Sequence, residues 1–211
     1  MSTGLRQRKK TDTRRALAEA ALALSLERGY QHFTITDVVE RVGVSRRTFS
    51  NYFPGKAECF VAVTEGWGDE IMDVLAGAPA GTPLDAVLRA ALIRLADLII
   101  TGFDAYFSVV RQEPELQAAE AVLESHRCDR IAVVITDRLA LPAGDPRPML
   151  IARFGAAAVQ GCVESWWAAG RPAGPDGVAA RLDQAFALLD LSALHRTVPG
   201  GAPQHGPPVL Q

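Results

Sequence analysis

Side chains that can donate hydrogen bonds to an anion or to the edge of a nucleobase are concentrated in SRRTFSNYF, residues 45–53. Arg46 and Arg47 carry planar guanidinium groups, which can bond guanine O6 and N7 in a bidentate manner. A phosphate oxygen is the alternative partner for either arginine, and the sequence leaves both possibilities open. Ser50 and Asn51 are weaker candidates for base contacts, although an Asn side chain can pair with adenine.

Hydroxyl and ammonium groups suited to phosphate oxygens surround this segment. We assign them to Thr34, Thr48, Tyr52 and Lys56. Thr34 and Lys56 lie near predicted helix N-termini, where backbone N–H groups add further donors. For Thr34, helix capping alone is the alternative. A basic run near the start of the chain could extend such contacts as an arm, and it contains Arg6, Arg8, Lys9 and Lys10.

Two short helices joined by a tight turn must hold these side chains. Thr34 and Asp37 have the spacing of a capping box, which predicts that a helix begins there. Gly43 can adopt the left-handed conformation that a corner needs, and Ser45 is a natural N-cap for the next helix. Apolar contacts between the two helices are assigned to Val38, Val42, Val44, Phe49 and Phe53. A short packed helix with a basic polar tip is typical of a recognition helix in the DNA major groove.

These motifs resemble the N-terminal domain of TetR-type (TetR/AcrR) transcriptional regulators. The shared features are the turn Gly43-Val44-Ser45, Thr48, the pair Tyr52-Phe53, and Pro54-Gly55-Lys56. The match is specific over residues 11–60, and beyond residue 75 it extends only to the general helical layout. Two departures occur: Val38-Val39 replaces the usual Ile-Ala, and Ser50 replaces an aromatic residue that touches the DNA backbone in the family.

Charge is distributed unevenly along the 211 residues. Residues 1–56 contain 11 Lys and Arg against five Asp and Glu, a net charge of +6, whereas residues 57–211 have a net charge of −8. A basic amino-terminal module on an acidic body is expected when only one end meets nucleic acid. A solvated basic arm without a partner is the alternative reading.

Other classes of protein find little support in the sequence. Cys59, Cys128 and Cys162 are far apart and show no metal-binding spacing, so we expect no metal site, no cofactor and a reducing, cytoplasmic location. The apolar stretch 90–110 contains three charged residues, which argues against a membrane span. No nucleophile elbow or Gly-rich phosphate loop is present, and no catalytic residues are assigned.

Helical periodicity predicts an all-α fold. The resemblance implies that the N-terminal part is a three-helix helix-turn-helix DNA-binding domain and that the remainder is a larger helical ligand-binding and dimerisation domain. We expect a disordered basic arm at 1–10, the DNA-binding domain at 11–56, the larger domain at 57–195 and a disordered tail at 196–211. The predicted helices are 12–28, 35–42, 46–52, 56–75, 84–100, 103–112, 114–139, 148–169 and 176–194.

The last two predicted helices are apolar on more than one face, which a one-sided surface helix does not require. The resemblance implies that they form a four-helix bundle with a second copy of the chain. Burial inside a monomer is the alternative. Residues assigned to this dimer interface are Phe154, Trp166, Trp167, Leu182, Phe186 and Leu189. Two-fold symmetry suits binding to a palindromic operator.

The resemblance also implies a ligand pocket among the middle helices. We assign its lining to Phe103, Tyr106, Phe107, Arg111, Leu123, His126, Arg127 and Trp166, with plain core packing as the alternative for the aromatic residues and an exposed helix edge for His126 and Arg127. An apolar or acyl-like effector would suit such a pocket, and its binding would release a repressor from the operator. A DNA-binding adaptor that recruits a protein partner is the competing hypothesis, and a solid core between these helices would favour it.

Overall fold

The computed structural model describes residues 2–79, 81–102, 104–172 and 177–188, which form ten α-helices. They are α1 (Ser2–Arg28), α2 (Ile35–Val42), α3 (Arg46–Ser50), α4 (Lys56–Val61), α5 (Glu65–Gly77), α6 (Leu84–Gly102), α7 (Asp104–Gln112), α8 (Pro114–Arg138), α9 (Arg147–Ala168) and α10 (Val178–Leu188). No β-strand occurs within these residues, and the predicted all-α fold is confirmed. None of the described helices combines the length and the apolar character needed to cross a bilayer.

The first helix is longer than the sequence predicts. Residues 1–10 were expected to be a disordered arm, but α1 begins at Ser2 and continues to Arg28. Once the packed face around Leu17 and Leu24 has nucleated the helix, each further residue costs little, and Arg, Lys and Gln are good helix formers. The helix ends where predicted, because Gly29 adopts a positive φ of 87°.

Two other boundaries differ from the prediction or cannot be compared with it. The predicted helix 56–75 is divided by a 3₁₀ turn at Ala62–Thr64, where the buried Thr64 hydroxyl donates to the Val61 carbonyl at 2.9 Å. The last helix begins at Val178. Its predicted first residue, Asp176, its predicted end at 194 and the predicted tail 196–211 lie outside the described residues.

The DNA-binding segment and the larger domain share one of the two hydrophobic cores. The first core contains Leu17, Phe49, Phe53 and Phe60 together with Tyr106, Val110 and Leu116 from α7 and α8. The second core joins α5, α6, α8, α9 and α10, around residues such as Trp67, Leu92, Ile131 and Leu182. Phe60 stacks on Tyr106 with ring centroids 5.3 Å apart. The first core therefore extends past the predicted boundary at residue 56.

Candidate nucleic-acid interface

The turn between α2 and α3 has the geometry that its sequence predicts. The Thr34 hydroxyl accepts a hydrogen bond from the Asp37 N–H at 3.3 Å, and the Asp37 carboxylate accepts one from the Thr34 N–H at 2.7 Å. Gly43 ends α2 in the left-handed conformation, with φ 73° and ψ 35°. Ser45 Oγ then caps α3 by accepting from the Thr48 N–H at 3.0 Å.

Buried aromatic side chains hold one side of α3 and leave its opposite side in solvent. Phe49 and Phe53 are 1% and 2% exposed and contact each other at 5.8 Å between ring centroids. Arg46 and Arg47, in the first turn of the same helix, are exposed. This arrangement presents both guanidinium groups at the end of α3 that a recognition helix inserts into the groove.

The cations around α3 differ in whether a carboxylate neutralises them. Arg14 pairs with Glu65, Arg28 with Asp37 and Arg41 with Glu27. Within the described residues, Arg46 and Arg47 have no such partner. Arg46 and Arg47 therefore leave uncompensated positive charge at the tip of α3, where an anion would meet it.

Several of the predicted contact residues use their hydroxyl groups inside the protein. The Thr34 hydroxyl donates to Asp37 Oδ2 at 2.6 Å, and the Thr48 hydroxyl lies 2.8 Å from Ser45 Oγ. Ser50 Oγ donates to the Arg46 carbonyl at 3.2 Å. Asn51 is exposed and ends α3 as its C-cap residue. Of these four residues, only Asn51 has a side chain with no hydrogen bond within the described residues.

Lys56 has a structural role that the sequence did not indicate. Its ammonium group donates to the Tyr30 carbonyl at 2.9 Å and to the Phe33 carbonyl at 3.2 Å. The same group lies 4.1 Å and 4.7 Å from the ring centroids of Tyr30 and Phe33, within cation–π range. Two of its three N–H groups are thereby engaged within the protein. Tyr52, another predicted phosphate contact, is half-buried.

Arg14 is the residue at this site that sequence reasoning missed. Its guanidinium bonds both carboxylate oxygens of Glu65 and donates to the Tyr52 carbonyl, which follows α3. Because the Arg14 guanidinium donates hydrogen bonds to the Glu65 carboxylate, the pKa of Arg14 is raised. The available signal was its position three residues before the buried Leu17, which places it on the packed face of α1.

Part of the predicted pocket lining lies at an open groove on the surface. Two concavities of the described chain are open surface grooves of about 670 and 310 Å³. Leu123, His126 and Arg127 line the smaller one beside Glu65 and Arg130. The apolar cavity expected between the middle helices is therefore not one of these grooves.

The other predicted pocket residues have separate surroundings. Tyr106 is 1% exposed, and Phe107 packs against it and against Trp67. Arg111 is exposed with its guanidinium 6.0 Å from the ring centroid of Trp167, and the Trp166 indole N–H donates to the Pro172 carbonyl at 2.8 Å. Phe103 lies outside the described residues. Tyr106, Phe107, Arg111 and Trp166 line neither of the two grooves.

A buried polar network joins α7 and α8 at the junction of the two cores. Arg127 is 7% exposed and forms ion pairs with Glu120 at 3.3 Å and Glu124 at 2.7 Å. The Tyr106 hydroxyl donates to the other Glu120 oxygen. Burial raises the pKa of Glu120, and Arg127 opposes that shift. His126, in contrast, is exposed, so the helix-edge alternative holds for His126 and not for Arg127.

The predicted dimer residues divide into buried and exposed groups. Leu182 is fully buried and Trp166 is 9% exposed, so both side chains belong to the core of the protomer, which corrects their assignment to an interface. An Arg89–Asp183 ion pair at 2.7 Å helps to hold α10 against α6. Trp167 and Phe186 are half-buried, Phe154 is 54% exposed, and Leu189 lies outside the described residues.

Comparison with known proteins places this geometry in a family. A sequence profile described as "Bacterial regulatory proteins, tetR family" matches residues 17–63. The HTH-type transcriptional regulator TcmR of Streptomyces glaucescens is 34% identical over 158 residues, which cover 70% of each chain.

Two solved structures share the fold. A tetR-family transcriptional regulator from Streptomyces coelicolor matches with a TM-score of 0.51 and 22% identity, over 87% of this chain and 80% of the other. Thermus thermophilus FadR, a TetR-family repressor solved in complex with lauroyl-CoA, matches with a TM-score of 0.52 and 24% identity, over 92% of this chain and 100% of the other. The helix-turn-helix geometry and the similarity to TcmR together show that this chain belongs to the TetR family of DNA-binding transcriptional regulators, which are not enzymes.

Proposed function

We propose that the protein is a homodimeric repressor that occupies a palindromic operator and is released by a small effector. The observation that carries operator binding is the pair Arg46 and Arg47. Both are exposed in the first turn of α3, without a carboxylate partner in the described chain, on a helix fixed by buried Phe49 and Phe53. Charge that is not neutralised internally is available for DNA.

The proposed contacts divide into base reading and positioning. Arg46 and Arg47 read base edges, and Asn51 assists from the end of α3. Ser50 contributes only if its hydroxyl breaks its hydrogen bond to the Arg46 carbonyl. Thr34, Thr48, Tyr52 and Lys56 position the domain on phosphates. Because the hydroxyl and N–H groups of Thr34 and Thr48 are all engaged in the two caps, these residues contribute by fixing the first turns of α2 and α3, whose other N–H groups can meet phosphates.

Titration of Arg46→Ala and Arg47→Ala against specific and scrambled duplexes tests these roles. Loss of a base contact should cost about 1–3 kcal/mol on the specific duplex and reduce sequence discrimination. Arg94→Ala is the matched control. Arg94 is an exposed arginine on α6, outside the helix-turn-helix, and it forms an ion pair with Glu70 at 3.4 Å. Full sequence discrimination in both α3 variants would show that the base-reading assignment is wrong.

Support for dimerisation comes from apolar residues of α9 that face away from the protomer core. Leu150 and Phe154, one helical turn apart, are 51% and 54% exposed. Ala157 and Gly161 continue the exposed face, and their small side chains would allow a second helix to approach closely. An exposed apolar stripe of this kind marks an interaction surface more often than a solvated one.

The dimer proposal is tested by light scattering at micromolar concentration. Phe154→Glu should give a folded monomer that binds the operator weakly, because one recognition helix alone provides half of the contacts. Val122→Glu is the control, since Val122 is 58% exposed but lies on α8 beside the larger groove near α4. A monomeric unmodified protein would refute the proposal.

Release by an effector rests on the family and on a neighbour rather than on a preformed cavity. FadR, which shares the fold, was solved with lauroyl-CoA, and this supports an acyl-type ligand. In the present chain Tyr106, Phe107 and Trp67 are in direct contact, so a ligand entering among them must separate these rings. The alternative is a DNA-binding adaptor that recruits a protein partner without a small ligand.

Calorimetric titration with acyl-CoAs of several chain lengths, with and without operator DNA, separates the two hypotheses. An effector must weaken operator binding, and by reciprocity operator DNA must weaken effector binding by the same factor, typically 5–150-fold or about 1–3 kcal/mol. An acyl-CoA that binds with unchanged affinity in the presence of operator is not an effector. If no member of the series binds, the adaptor hypothesis is favoured.

A further inference from the structure

Arg14 connects three elements through one side chain. From α1, its Nε donates to Glu65 Oε2 at 2.8 Å, and its Nη2 donates to the second oxygen of the same carboxylate. Its Nη1 donates to the Tyr52 carbonyl. The guanidinium carbon also lies 4.1 Å from the ring centroid of Phe53, which is buried. Four contacts thus converge on one planar group.

The contacted atoms lie just beyond the end of α3. Tyr52 and Phe53 are two and three residues past Ser50, the last residue of α3, which is only five residues long. Glu65 is the first residue of α5 and belongs to the larger domain. A displacement of α5 relative to α1 would therefore pull on the segment that ends the recognition helix.

The pair is not an ordinary surface ion pair. The Arg14 and Glu65 side chains are 34% and 35% exposed, and the arginine is bidentate, so its geometry is fixed more tightly than that of a single-point contact. A natural comparison exists in Arg41 and Glu27, which are also bidentate, at 2.7 and 2.6 Å, and are 34% and 50% exposed. That second pair joins α2 to α1 and has no hydrogen bond to the end of α3.

We propose that Arg14 is a positioning residue for operator binding: by holding Glu65 and the Tyr52 carbonyl together, it sets the direction of α3 relative to α5. In a dimer this direction sets the separation of the two recognition helices and hence the half-site spacing that the protein accepts. The inference rests on the proposed dimeric operator complex. Because Glu65 also lines the smaller groove with Arg127, the same contact would carry displacements of α5 to the DNA-binding end.

Operators whose half-sites are separated by one base pair more or fewer than the optimum test the positioning role. Arg14→Ala should lose about tenfold in affinity for the optimal operator, equivalent to about 1.4 kcal/mol, and should discriminate less between spacings. Arg14→Lys retains the charge but not the bidentate fork, so its spacing preference should be intermediate. Arg41→Ala, the matched control, should keep the original spacing preference. A variant that only loses folded protein would instead have an equally lowered apparent affinity for operators of every half-site spacing.

Hydrogen exchange of residues 46–53, measured by mass spectrometry without DNA, provides a second and independent measurement. Arg14→Ala and Glu65→Gln should accelerate exchange in this segment more than Arg41→Ala does. Unchanged exchange in both variants would show that the Arg14–Glu65 contact does not hold this segment. Accelerated exchange with an unchanged spacing preference would overturn the positioning role of Arg14. If the unmodified protein does not distinguish spacings, the dimeric operator complex is wrong, and the exchange experiment still decides whether Arg14 fixes α3.

Discussion

Substitution of Arg127 by alanine should be among the most destabilising single changes in the described chain. The side chain is 8% exposed and carries ion pairs to Glu120 and Glu124. Its guanidinium lies 5.9 Å from the ring centroid of Trp67, and its aliphatic stem covers Gly68 so closely that a Cβ there would approach Arg127 Cγ to 2.9 Å. Alanine removes the charge, the hydrogen bonds and the packing together.

The expected loss of unfolding free energy follows from the burial of Glu120, the partner that remains after Arg127→Ala. Among the described residues, Glu120 would then keep only the Tyr106 hydroxyl as a hydrogen-bond partner. Removing one member of a buried ion pair typically costs about 3–5 kcal/mol, because the other charge stays buried without compensation. For a protein of this size, each kcal/mol lowers Tm by about 2–4 °C, so the fall should be roughly 6–20 °C.

The pH dependence gives a signature that lost packing alone cannot imitate. Burial already raises the folded-state pKa of Glu120, and removal of Arg127 should raise it further. A group whose folded pKa is raised contributes stability at low pH and loses it as the pH rises through that pKa. The difference in unfolding free energy between Arg127→Ala and the unmodified protein should therefore narrow as the pH falls from 8 towards the ordinary glutamate range, about 4.3.

Urea denaturation of both proteins at several pH values measures this effect. Arg130→Ala is the matched control, since its ion pair with Asp69 is 2.6 Å long but 56% and 62% exposed, and such pairs contribute about 0–1 kcal/mol. Adding Glu120→Gln to Arg127→Ala should recover part of the loss. The reasoning fails if Arg127→Ala costs no more than Arg130→Ala, or if its cost is independent of pH.

Four further outcomes are expected. Thr34→Ala should lower the unfolding free energy by about 1 kcal/mol through loss of the α2 cap. Because Thr34 and Arg28 lower the pKa of Asp37, the stability that Asp37 contributes should be present at neutral pH and disappear below about pH 4. Acid titration of Asp37→Asn against the unmodified protein checks this pH dependence. Gly43→Ala should cost about 1–2 kcal/mol in thermal unfolding, since φ is 73° there, whereas Gly77→Ala, at a helical residue with open space around it, should cost nothing. Burial raises the pKa of Cys59 to about 12, so iodoacetamide should leave this thiol unmodified in the native protein at pH 8 and alkylate it in urea; rapid labelling without denaturant would contradict its burial.

The helix-turn-helix could be predicted from the sequence because its determinants are local. The capping box at Thr34 and Asp37, the left-handed Gly43 and the cap at Ser45 each act within three or four residues, and the structure contains all of them. The length of α1 could not be predicted in this way. Residues 2–10 have no apolar periodicity, and their helical state depends on the packed turns that follow them.

The functional assignments were harder because they depend on distant partners. Lys56 was assigned to a phosphate, but its ammonium group binds carbonyls of Tyr30 and Phe33, more than 20 residues away. His126 and Arg127 were treated as one pair, although consecutive residues on a helix point about 100° apart. The structure accordingly leaves His126 in solvent and buries Arg127.

The shared core has a consequence for the modularity of this regulator. Phe60 stacks on Tyr106, and Val110 and Leu116 complete the same core from outside the helix-turn-helix. A fragment ending near residue 63 would expose the apolar surface that Tyr106, Val110 and Leu116 cover, so it should not fold alone. A chimera that transfers operator specificity to another family member must accordingly carry α7 and the first turn of α8 with it, or reproduce their apolar surface in the recipient.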